Sequence, residues 1–184
     1  MRLTGRGLTV VLSSLMIVVL AAGAVSAWAV GRHRADVTRT TPAVAHYVPG
    51  PSADRSVRLS GDAHGHPRSD QVRRALQGYF DAINTRDYRA WVDSVAPTQS
   101  LVQDPQRWAR DYSTTVDSNL LVTTVSDEPL RARILFTSQQ SVNRAPPDLP
   151  AECVDWDLTY LLSDTKKGLV LSGIDPSAQS MTAC

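Results

Sequence analysis

Asp155 and Asp157 stand two positions apart in the run Cys153-Val154-Asp155-Trp156-Asp157-Leu158, the spacing that puts both carboxylates on one face of a β-strand. In an apolar pocket, one such carboxylate can act as a general base while a phenol, here Tyr79 or Tyr112, donates a hydrogen bond to a developing oxyanion. The opposite face of the same run carries Val154, Trp156, Leu158, Tyr160 and Leu162. Two outcomes are therefore open. Either the aspartates line a pocket and form a site, or they face water as ordinary strand charges. Tyr79, Trp108, Tyr112 and Trp156 offer the aromatic wall that a small apolar ligand needs, although Trp108 and Tyr112, one helical turn apart, also suit core packing.

Other catalytic signatures are missing. The chain has no Gly-rich phosphate loop, no nucleophile elbow, no metal-ligand helix and no cysteine with a neighbouring histidine. Histidine does not occur after His66, so a Ser-His-Asp triad is not expected in the folded part. His64-Gly65-His66 falls short of a metal site for want of further ligands and reads as solvated loop. Neither metal nor cofactor is expected. The two cysteines, Cys153 and Cys184, form an even count, which outside the cytoplasm usually means a disulfide. Two free thiols are the alternative.

The elements that must position these groups follow from periodicity. Ser69 or Asp70 can cap a helix in which Val72, Leu76, Tyr79, Phe80 and Ile83 share one face. Asp87 is placed to cap a second, short helix with Tyr88, Trp91, Val92 and Val95 on its apolar side. Asp104-Pro105 starts a third, which carries Trp108 and Tyr112. After that the period changes to two, weakly over 119–125 and clearly over 130–141, where Ala132, Ile134 and Phe136 alternate with polar groups. Pro146, Pro147 and Pro150 separate this strand from the 153–162 strand, since proline cannot donate to a ladder. A polar turn over 163–168 leads into 169–174 as an antiparallel hairpin, whose pairing, extended, sets residues near 178 beside Cys153. Helices followed by antiparallel strands predict an α+β domain with one wet sheet face.

Upstream, Leu8 to Val30 is a stretch of 23 residues without a charge, long enough for a helix to cross a bilayer, and it follows Arg2 and Arg6. Length, with Trp28 at the outer edge, favours an uncleaved anchor. The alternative is secretion after cleavage near Ala27 or Ala29. Residues 32–68 carry Pro42, Pro49, Pro51 and Pro67 without apolar periodicity and read as a flexible stalk. The expected organisation is a signal-anchor at 1–31, a linker at 32–68 and a globular domain at 69–184. Residues 70–184 hold eleven Arg and Lys against fifteen Asp and Glu, a net charge of −4, so the domain lacks the basic stripe of a nucleic-acid binder.

The stretch VRRALQGYFDAINTRDYRAW, Val72 to Trp91, resembles the first helix and corner of the nuclear transport factor 2-like superfamily, which includes ketosteroid isomerase-like and polyketide cyclase-like proteins. Ala82, Asn84, Asp87, Tyr88 and Trp91 occupy the positions of its corner, and the CVDWDLTYLL hairpin is similar to its final strands. The resemblance implies a cone: about three helices packed on a strongly curved antiparallel sheet. The whole layout is also similar to small membrane-anchored proteins of bacterial envelopes, among them secretion or conjugation scaffolds and accessory proteins of lipid import. The expected function is a non-catalytic, membrane-tethered extracytoplasmic module that binds a partner protein or a small apolar ligand. The alternatives are a small exported isomerase or cyclase with a carboxylate in a hydrophobic cone, and a scaffold in a secretion or conjugation complex.

Overall fold

The computed structural model describes residues 54–184; the apolar 8–30 segment and the linker as far as residue 53 lie outside the described residues. The described chain begins with a two-residue strand β1 (Arg58–Leu59) and a single helical turn α1 (Gly61–His64). Next come α2 (Ser69–Thr85), α3 (Tyr88–Ser94), the single turn α4 (Pro97–Ser100) and α5 (Pro105–Asp111). Four long strands follow, β2 (Val116–Ser126), β3 (Arg131–Gln139), β4 (Cys153–Thr165) and β5 (Gly168–Ala183), with a 3₁₀ turn at Val142–Arg144 between β3 and β4. Helices and one five-stranded sheet make this an α+β architecture. No helix among the described residues is long and apolar enough to cross a membrane.

Caps and apolar spacing account for α3 and α5, but α2 rests on apolar spacing alone: its N-cap residue is Arg68, which makes no side-chain cap hydrogen bond, and Ser69 and Asp70, the expected caps, lie inside the helix. In α2, Val72, Leu76, Phe80 and Ile83 are all buried, the recurrence at three and four that lays one face on the sheet. The helix stops at Arg86, which adopts the left-handed conformation (φ 58°) at its C-cap. Asp87 then accepts from the Ala90 N–H and starts α3, and Asp104 accepts from Arg107 N–H at 2.7 Å to start α5. Each cap satisfies an amide that the first helical turn leaves without a partner.

In the sheet, β3 turns Ala132, Ile134, Phe136 and Ser138 towards the helices and leaves Arg133 and Leu135 exposed. On β4, Val154, Leu158, Tyr160 and Leu162 are buried while Asp155 is exposed. Trp108 and Leu76 are fully enclosed between the layers. Tyr88, Trp91 and Trp108 pack ring to ring, with centroids 5.5 to 5.8 Å apart.

Four further expectations need correction. The sheet is mixed: β1 runs parallel to β2, because the chain enters along that edge before the helices reverse it. Five helical segments replace three, the two extra ones being single turns too short for periodicity to reveal. The expected linker over 32–68 overlaps the domain. Val57 (3% exposed) and Ala63 (0%) belong to the core, so residues 54–68 are part of the domain. Finally, β5 continues to Ala183 instead of ending near 174. Leu158 pairs with Gln179 and Tyr160 with Ile174, so Asp175–Ala178 bulge opposite the single residue Thr159. That bulge moves the register until Val154 faces Ala183, and Cys184 comes to lie beside Cys153. The two sulfurs stand 2.19 Å apart, a disulfide pair.

Candidate site in the cavity between helices and sheet

A cavity of about 620 Å³ opens between α2 and the helix-facing side of the sheet. Its deepest polar group is Asp117, the second residue of β2, 3% exposed. Two interactions set its position. The Asn84 side chain, at the end of α2, takes the Asp117 N–H on Oδ1 (2.7 Å) and donates from Nδ2 to the Asp117 carbonyl (3.0 Å). One amide thus supplies what a neighbouring strand would supply, and pins β2 to the helix. Ser138, opposite on β3, donates its hydroxyl to the Asp117 carboxylate.

Burial pushes the Asp117 carboxyl up to about 6, while the hydrogen bond from Ser138 opposes the shift. Three phenols join it in the cavity wall: Tyr79 from α2, Tyr112 after α5 and Tyr160 from β4. Burial, followed by the neighbouring phenol of Tyr160, raises Tyr79 well above the ordinary phenol range. For Tyr112 the largest cause is the charge of Tyr79, then burial, and Tyr160 is raised chiefly by burial. All three are O–H groups at any physiological pH. The arrangement can orient a polar group of a bound molecule, and its carboxylate can exchange a proton near pH 6.

The remaining wall is mostly apolar. Phe80, Phe136, Trp156, Leu158 and Ile174 line it, and the residues Asn143 to Pro147 form part of its rim. Phe136 stacks with Trp156 at 6.2 Å, and Tyr79 meets Tyr160 edge to face at 5.6 Å. Arg144 and Asp111, both exposed, bring one charge of each sign to the cavity.

The fold sorts the residues singled out from the sequence. Tyr79, Tyr112 and Trp156 are brought together on the cavity wall. Trp108 is not with them: it is fully buried in the core beside Tyr112, at a ring distance of 5.2 Å. Asp155 and Asp157 leave the strand on the other side of the sheet, so the water-facing alternative is the one the fold realises. There Thr137 donates to Asp155 at 2.7 Å and Arg133 Nε to Asp157 at 2.8 Å. The Arg133 guanidinium holds the Asp157 carboxyl below the usual carboxylate range. Each carboxylate has its own partner, and they line only a shallow depression on that outer face.

His66, read as a solvated loop residue, is folded into the domain. Its Nδ1 accepts from the Arg68 N–H at 3.1 Å, and its Nε2 lies 3.2 Å from Asp127. Both ring nitrogens are thus engaged, which leaves neither for a nucleophile. Among the described residues, no group of three or more metal-ligating side chains gathers.

Asp117 and Ser138 escaped the sequence reading. The stretch Val116-Asp117-Ser118-Asn119 is poor in strand formers and rich in turn formers, so strand periodicity is legible only from Asn119. Its backbone irregularity agrees: Asn119 has φ 58°, within a break in register between Ser118 and Leu121. The one available signal was Asn84, whose amide in a helix-terminal corner had no assigned partner. No family model matches the chain, and no curated protein or solved structure shows significant similarity to it.

Proposed function

We propose that the domain is an extracytoplasmic ligand-binding module, held at the cell envelope by the 8–30 segment, that takes a small and largely apolar molecule into a nuclear transport factor 2-like cone. The observation that carries this reading is the cavity of about 620 Å³, walled by aromatic side chains around a single buried carboxylate and three phenols. That volume is in the range of small-molecule sites, which combine apolar walls with few convergent polar groups. The cone itself is supported by the long amphipathic α2, the Asn84 corner and the register breaks in β2 and β5, since bulges bend a sheet.

The test is occupancy of the cavity. The full chain in lipid nanodiscs is titrated with 2-naphthol and followed by tryptophan fluorescence, with empty nanodiscs as reference. Ile174→Trp places a large ring in the cavity wall and is expected to reduce binding at least about tenfold, as an overfilled pocket excludes its ligand. Equal binding by parent and variant would refute the reading.

A second reading, an exported isomerase or cyclase acting on a hydrophobic substrate, is favoured by one observation. Asp117 is poised near 6, a useful value for a general base, beside phenols able to stabilise an oxyanion. Turnover of a cyclic ketone by the purified chain, lost on changing Asp117 to Asn and kept on changing Asp157 to Asn, would establish it. Binding without turnover leaves the ligand-binding reading in place.

A further inference from the structure

Asp117 is buried with no basic partner. Among the described residues no Arg, Lys or His side chain forms an ion pair or hydrogen bond with its carboxylate, and the one side chain that bonds it, Ser138, is neutral. An ionised carboxylate in such a place is costly unless a counter-charge arrives. The surrounding groups are those that receive a cation. The rings of Tyr79, Phe80, Tyr112, Phe136, Trp156 and Tyr160 wall the same cavity, and the faces of aromatic rings attract positive charge. The phenol oxygens of Tyr79, Tyr112 and Tyr160 add acceptor capacity.

We propose that the ligand of this cavity is an organic cation, an alkyl- or arylammonium whose charged head sits against Asp117 among the tyrosines and whose apolar body fills the rest. The inference rests on the ligand-binding reading above and names its substrate class. A phosphate, sulfate or carboxylate ligand is disfavoured at the same point, because Asp117 would repel it. Arg144 at the rim does not cancel this preference. It is exposed and makes no ion pair among the described residues, and the lining also includes the acidic Asp111.

The other titratable and charged groups lining the cavity set how binding varies with pH. They are Tyr79 from α2, Tyr112 with Asp111 from the end of α5, Tyr160 from β4 and Arg144 from the 3₁₀ turn; β5 contributes the uncharged Ile174 and Gln179. The three phenols are raised, so between pH 5 and 7.5 Asp117 is the buried group that changes charge. Cation binding therefore strengthens as the pH rises.

The experiment compares two probes of one shape, phenyltrimethylammonium and the neutral tert-butylbenzene, on the full chain in lipid nanodiscs at pH 7.5 and pH 5. The expected result is a preference for the cation of about tenfold or more at pH 7.5, shrinking at pH 5. In Asp117→Asn the preference should vanish while tert-butylbenzene still binds. Binding of the neutral probe alone, or an undiminished preference in the variant, overturns this inference and leaves the ligand-binding reading standing. Binding of neither probe nor 2-naphthol overturns both. The comparison of probes on the unaltered chain does not depend on any variant folding.

Discussion

Asp117 is a carboxylic acid that folding removes from water and leaves with one hydroxyl donor, Ser138. Its titration in the folded chain near 6 lies above the ordinary value of 3.8, so the folded state holds the proton more tightly than the unfolded state. By linkage, the protonated group's contribution to stability is complete below about pH 4 and is lost as the pH climbs through 6. Asp157, Asp164 and Asp175 are shifted the other way by their hydrogen bonds, and their contribution is lost as the pH falls. A comparison of parent with Asp117→Asn cancels those shared terms. The variant should exceed the parent in stability by about 2 to 3 kcal/mol at pH 7 and match it near pH 4, read from urea midpoints. Equal differences at both values would show that Asp117 is not buried as a carboxylate.

At the scale of elements, the join between α2 and β2 decides whether the site exists. Asn84 is buried and spends its side-chain amide on the backbone of Asp117, at 2.7 and 3.0 Å. Around it, Arg86 donates to the carbonyls of Asn84, Ser113 and Thr115, which ties the corner to the chain entering β2. Asn84→Ala leaves a buried N–H and a buried carbonyl without partners, expected to cost about 2 to 4 kcal/mol in denaturant unfolding. Faster hydrogen exchange of the Asp117 amide should accompany the loss. A variant with unchanged exchange would mean that β2 is held by other contacts. The helices that frame this join were legible in the sequence, since their caps at Asp87 and Asp104 and the apolar face of α2 are local features. The join itself was not, because it links positions 33 apart through a side chain that has no periodicity.

For the whole molecule, Cys153 and Cys184 fasten the chain's last residue to the start of β4. A sequence separation of 31 closes a loop whose chain entropy corresponds to about 3 to 4 kcal/mol. Reduction, or Cys184→Ser, should therefore lower the thermal midpoint and free residues 179–184 to exchange, whereas α2 keeps its protection. Calorimetry with and without reductant checks the first, and hydrogen exchange the second. The envelope reading makes its own prediction: the chain sediments with membranes and resists alkaline carbonate, with its N-terminus intact. A mature terminus near Ala27 or Ala29 in the soluble fraction would mean release after cleavage.

The α+β class, the capped starts of α3 and α5, the two-faced pattern of β4 and the cysteine pair follow from the sequence alone, because these rest on local periodicity, capping and counting. The same alternation sets Asp155 and Asp157 opposite the apolar stripe, but which face the helices cover follows from packing between distant segments. Packing also makes residues 54–68 part of the domain, since Val57 and Ala63 gain their burial from partners distant in the chain. The cavity belongs to the same class of fact. Tyr79, Tyr112, Asp117, Ser138 and Tyr160 come from five separate stretches of chain, and no spacing along the sequence relates them; their meeting depends on how α2 and α5 pack on a sheet whose register is shifted by bulges.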